Sequence, residues 1–80
     1  DLDLEKPLKL SYSGNHIRIH LPEFFERPVQ MNMYDLSGRA YHPKVARGRN
    51  FLKFSVAGLH PGLYFVKVHS NCNGTARFVV

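Results

Sequence analysis

Tryptophan is missing from this 80-residue chain, cysteine occurs once, and only 6 residues carry negative charge against 11 Lys and Arg. Each shortage excludes something. The lone Cys72 cannot close an internal disulfide, so packing alone must stabilise the fold and the redox compartment stays open. No stretch of about 18 apolar residues occurs, which rules out a membrane-spanning helix. The opening DLDLEKP lacks the basic and apolar regions of a secretory leader, and it starts at Asp rather than Met, which reads as a piece of a longer protein. Helical periodicity is also missing, its best candidate, PEFFERP, being confined between two prolines.

Catalytic constellations are equally scarce. Asp1, Asp3, Glu5, Glu23, Glu26 and Asp35 offer no spaced carboxylate pair, the serines have no G-x-S-x-G context, and no glycine loop precedes a helix to cradle phosphate. Cys72 sits in SNCNGT, a hairpin tip rather than a nucleophile's setting. Of the five histidines, His16 and His20 share a strand face but stand about 13 Å apart at strand rise, too far for one zinc ion. His42, His60 and His69 fall in separate segments. No enzymatic activity, metal or cofactor is expected.

The net charge of +5 is dispersed, with KVARGR the nearest approach to a cluster. A solvated face explains it, and no nucleic-acid partner is expected. Polyanion binding through Arg47 and Arg49 is the alternative, and it predicts an affinity that collapses with salt.

What the chain does contain is alternation. LKLSYS sets Leu8, Leu10 and Tyr12 against Lys9 and Ser11, and Gly14-Asn15 turns the chain into HIRIHLP, with Ile17, Ile19 and Leu21 on one side. EFFERP is a connection whose Phe24 and Phe25 plug one end of the core. VQMNMYD, RAYHP, FLKFSV, LYFVKV and TARFVV continue the pattern, with KVARGRN between them as a loop. Pro61 and Gly62 suit the middle of a type II turn. Asp35 in MYDLSGR is placed to cap its own turn, with Arg39 pairing across it and Gly38 supplying positive φ. These segments make about seven short strands, and each sheet face must be covered by another, so the expected fold is an all-β, immunoglobulin-like antiparallel sandwich over residues 8–80, preceded by a tail at 1–7. Tyr64, just after the Leu59–Gly62 corner, is placed to return its hydroxyl to that corner as a tyrosine corner.

VQMNMYDLSGRAY, GRNFLKFSVAGLHPGLYFVKV and the terminal GTARFVV, in that order and spacing, together resemble the C-terminal sorting domain of the type IX (Por) secretion system of Gram-negative bacteria. Asp35, Gly38 and Arg39 match the first family motif. Leu59, Pro61, Gly62 and Tyr64 match the second, and Gly74, Arg77, Val79 and Val80 the last strand. The Asn-Pro pair with which the family often opens is missing, and Arg77 stands where Lys is common. The resemblance implies an immunoglobulin-like domain that folds in the periplasm and directs its parent protein through an outer-membrane translocon to the cell surface. A sortase-like peptidase usually removes it there while joining the parent to anionic lipopolysaccharide. Physically, ARFVV at a sheet edge gives a receptor a strand to extend and a carboxylate to capture, and an exposed edge also permits a homodimer. The rival reading is an appended carbohydrate- or protein-binding module using the His and Arg face of the second strand, with Phe51 and Tyr41 as exposed aromatic contacts.

Overall fold

A computed structural model describes residues 6–80, which form two packed sheets and no helix. The strands are β1 Lys6–Pro7, β2 Leu10–Ser13, β3 His16–His20, β4 Gln30–Asp35, β5 Ala40–Tyr41, β6 Val45–Arg47, β7 Phe51–Ser55, β8 Leu63–His69 and β9 Asn73–Val79. One sheet runs β1-β9-β8-β4-β5 and the other β2-β3-β7-β6. That is the ABED and GFCC′ arrangement of an immunoglobulin-like sandwich, with β1 added to the outer edge of β9. All pairings are antiparallel except β1 with β9.

Period-two burial is the reason these residues form strands. In β3, Ile17 and Ile19 are fully buried while His16, Arg18 and His20 are exposed; in β8, Tyr64, Val66 and Val68 point inward. Leu52 and Phe54 of β7 and Ala76 and Phe78 of β9 complete the facing layers. The two ends close differently. At the end where β4 begins, Leu21, Phe25 and Val29 plug the gap between the sheets, and Asn71, at the β8–β9 tip beside Cys72, clamps that loop. Its Oδ1 accepts from Glu26 N–H at 2.8 Å, and its Nδ2 donates to Phe24 O at 3.0 Å. The expected plug therefore uses Phe25 alone, since Phe24 is half exposed, its ring under the Lys6 ammonium at 5.8 Å.

Four expectations need correction. Residues 45–47, read as loop, form β6: the run is too short to show alternation, and only pairing with β7, Val45 opposite Phe54 and Arg47 opposite Leu52, makes it a strand. Lys6 and Pro7, read as the end of a tail, pair parallel to Gly74 and Thr75, while residues 1–5 of that tail lie outside the described residues. The chain then switches sheets through Leu8, which is buried, so the inward row of the first segment fades outward to an exposed Tyr12. The tight turn lies earlier than Pro61-Gly62: Leu59 N–H donates to Val56 O at 3.1 Å, with Gly58 at φ +87° in the third position. Gly62 instead extends the β8–β9 ladder by one pair, exchanging both backbone hydrogen bonds with Val80 at 3.1 and 2.9 Å, at a φ of +150° that glycine adopts without a Cβ penalty.

Candidate functional site

The β4–β5 turn is built by one carboxylate. Asp35 Oδ1 accepts from Ser37 N–H at 2.9 Å, Ser37 Oγ–H at 2.6 Å and Arg39 N–H at 2.9 Å, and Gly38, at φ +87°, lets the chain reverse tightly enough for its own N–H to reach Asp35 O at 3.0 Å. Arg39 thus meets Asp35 through its backbone amide, not through the ion pair expected from the sequence. Oδ2 accepts from the Tyr41 hydroxyl at 3.0 Å. The Ser37 hydroxyl above all, then the Arg39 amide and the Tyr41 hydroxyl, hold the Asp35 carboxyl down to about 2, although partial desolvation opposes them. Desolvation, followed by the Asp35 partner, pushes the Tyr41 phenol up.

A depressed folded-state pKa contributes stability that is complete above the unfolded value of 3.8 and is lost as pH falls towards about 2. Thermal melts should therefore show the wild-type domain losing stability through that acid window, and Asp35→Asn should flatten the loss there while lowering the melting temperature at neutral pH. An unchanged acid profile in the variant would remove Asp35 from this role.

From Tyr41 the site continues inward as a line of rings. Tyr41 meets Tyr64 edge-on at 5.5 Å between centroids, Tyr64 stacks on Phe78 at 5.4 Å, and Phe78 touches Phe54 at 5.7 Å. The Tyr64 hydroxyl donates to His60 O at 2.7 Å, closing the corner between the two sheets as the sequence indicated. Leu59 packs half-buried beneath that corner. The two internal motifs thus meet at one end of the sandwich, where a cleft of about 330 Å³ is lined by Asp35, Leu36, Ser37, Arg39 and Tyr41 on one side and His60 to Tyr64 on the other. Leu36, 73% exposed, projects at its rim.

The last strand joins the same end through the Gly62–Val80 pair, but its motif residues are not all gathered there. Gly74 lies at the opposite end, buried, and a Cβ on it would stand 2.8 Å from Leu8 Cγ. Its need for glycine is the seating of Leu8 as the chain changes sheets. Arg77 lies mid-strand and exposed, and Val79 is 64% exposed. Antiparallel ladders alternate residue pairs that exchange hydrogen bonds with pairs that do not. Since Gly62–Val80 exchanges both, Phe78, Ala76 and Gly74 also turn their main-chain groups towards β8, whereas Thr75, Arg77 and Val79 turn theirs away. Leu8 N–H takes Thr75 O at 2.8 Å. Beyond that point β1 has no residue opposite β9, so among the described residues nothing pairs with the outward main-chain N–H and C=O groups of Arg77 and Val79.

Sequence reasoning missed three contributors: Tyr41 as the partner of Asp35, Asn71 as a clamp, and Arg47, whose guanidinium donates to Val29 O at 2.8 Å. Tyr41 carried one available signal, its place six residues after Asp35 across a two-strand turn. Neither aromatic offered by the ligand-binding reading is an exposed contact: Tyr41 is half-buried on Asp35 and Phe51 is half-buried beneath Arg18. Among the described residues, no group of three or more His, Cys, Asp or Glu is placed to hold a metal ion.

A capped turn, a tyrosine corner and two packed antiparallel-rich sheets place the chain in the class of small all-β, immunoglobulin-like sandwich domains. The particular family follows from comparison with known proteins: the model of the secretion system C-terminal sorting domain matches residues 13–80, and the chain belongs to that family. It carries a C-terminal sorting signal of the type IX secretion system, which implies that the parent protein is exported to the cell surface or secreted. A search of curated proteins found no match, and neither did a search of solved structures.

Proposed function

We propose that the outer-membrane translocon of the type IX system reads this domain at the motif end and along the open edge of β9, after the domain has folded in the periplasm. A sortase-like peptidase then removes it and joins the parent protein to anionic lipopolysaccharide. One observation carries the reading: the Asp35 turn, the Tyr64 corner and β9 converge at one end of the sandwich, next to unpaired main-chain groups on Arg77 and Val79. A receptor strand added there gains main-chain hydrogen bonds, while Arg77 and Val79, which alternate outward from the core, stand ready for side-chain discrimination. Asp35, Gly38, Leu59 and Tyr64 build the platform, and Pro61 and Gly62 deliver β8 to β9.

The direct test fuses residues 1–80 to a leader-bearing periplasmic reporter in a host that has the secretion system. Surface exposure of the reporter, lost when the host's translocon is deleted, is the expected result; a reporter retained in the periplasm of the intact host overturns the proposal. Deleting the last five residues is a poor variant for this purpose, because Ala76 and Phe78 are buried and their loss also damages the fold.

A further inference from the structure

The outer face of the β2-β3-β7-β6 sheet plays no part in the sorting reading, and its chemistry is one-sided. None of its strands contains Asp or Glu. Ser11, Arg18 and Lys53 stand opposite one another across three strands, so two cations occupy directly paired positions. Like charges so placed repel, and a merely solvated face normally intersperses both signs. His16 and His20 flank Arg18 on the same face of β3.

Arg18 is held ready rather than used. Its guanidinium carbon lies 4.2 Å from the centroid of the Phe51 ring, and among the described residues it has neither a hydrogen-bond nor an ion-pair partner. Packing over an aromatic ring restrains the guanidinium and leaves its N–H donors free for a planar or tetrahedral oxyanion. Beside it a shallow depression of about 300 Å³ is lined by Ser11, Ser13, His16, Arg18 and Lys53. A larger one, about 730 Å³, continues past Ser11 and Arg18 to His20, Asn50 and Phe51 and is lined on its apolar side by Pro7, Leu8, Leu10 and Pro22.

We infer that this face binds a phosphorylated saccharide, with the phosphate across Ser11, Arg18 and Lys53 and the sugar in the adjoining depression. A phosphate monoester brings about −1.5 to −2 charge and three acceptor oxygens, which matches two cations and a hydroxyl better than a single carboxylate does. A bilayer surface fits less well. The large apolar side chain on this face, Phe51, is covered by Arg18, and the exposed ones lie elsewhere: Leu36 and Val79 on the other sheet, Phe24 in the connection before β4, and Tyr12 on the inward row of β2 opposite Ile17. Serine hydroxyls and imidazoles around the cations suit a polar ring instead. This site is separate from the motif end, so its failure leaves the sorting reading untouched.

Amide chemical-shift titration of the 80-residue chain with glucose-6-phosphate tests it, with glucose, inorganic phosphate and vesicles of phosphatidylglycerol in phosphatidylcholine as comparison arms. Expected are saturable shifts at Ser11, Arg18 and Lys53 for glucose-6-phosphate, at least about tenfold weaker for inorganic phosphate and absent for glucose. Arg18→Gln and Lys53→Gln should each weaken binding about tenfold, and Arg18→Lys should fail to restore it because the stacked fork is lost. Both positions lie on the outer face, and each variant's fold is checked by the unchanged methyl spectrum of the core. Equal affinity for inorganic phosphate, binding indifferent to both substitutions, preference for the vesicles, or no shift at all overturns the inference.

Discussion

Replacing Phe78 with alanine should cost about 3–5 kcal/mol, a large share of what holds the domain together. Phe78 is 2% exposed and sits between Tyr64 and Phe54, so its ring joins the layer contributed by β8 to the layer contributed by β7. Total stability for a domain of this length is on the order of 4–12 kcal/mol, and nothing covalent reinforces it: the one cysteine, Cys72, is free. Little room remains for rearrangement into the void, because the core around it, Val66, Phe54 and Ile17 included, is already fully buried. Urea denaturation read by Tyr fluorescence and far-ultraviolet circular dichroism measures the loss. An unfolding free energy lowered by less than about 1 kcal/mol would show that the two sheets do not depend on the ring line.

Val79→Pro should do the opposite: leave stability nearly unchanged and abolish export. Proline removes an amide N–H, and at Val79 that N–H points away from β8 towards the open edge, where edge strands tolerate proline. The same substitution at Val80 is the contrasting control, since Val80 N–H donates to Gly62 O at 2.9 Å and its removal loosens the ladder itself. If a receptor strand pairs with β9, Val79→Pro takes away a hydrogen bond and places a ring where the strand must lie. The fraction of a fused reporter reaching the surface should then fall at least about tenfold while the melting temperature holds within a few degrees. Normal export of a folded Val79→Pro domain would mean that recognition does not proceed by strand addition at this edge.

The contrast between these two substitutions also separates what was legible in the sequence from what was not. Alternation in β3, β7, β8 and β9 places Ile17, Ile19, Leu52, Phe54, Tyr64, Val66, Val68, Ala76 and Phe78 in the core without reference to any partner, because a two-residue period is a local property of extended chain. The Asp35 cap and the positive φ of Gly38 are equally local, set within five residues. The tyrosine corner was legible because Tyr64 and His60 are four residues apart.

Distance along the chain marks where local reading stops. The tight turn was misplaced from Val56–Leu59 to Pro61-Gly62 because Gly62 answers to Val80, 18 residues later, rather than to its neighbours. The strand β6 exists only against β7, and β1 only against β9, since two or three residues cannot stabilise an extended conformation without a partner's hydrogen bonds. Tyr41 became part of the turn site, and Gly74 a seat for Leu8, through contacts between segments that composition does not connect.

The sequence by itself determined an all-β chain with two apolar sheet faces, a self-capping turn and a corner tyrosine, because periodicity and short-range hydrogen bonding are written into neighbouring residues. Only the tertiary structure decided that the turn, the corner and the last strand share one end, and that among the described residues Arg77 and Val79 keep an open edge and Arg18 and Lys53 meet without a counter-charge. Those relations are set by which strands pair and in what register, and register depends on segments far apart in the chain closing over a common core.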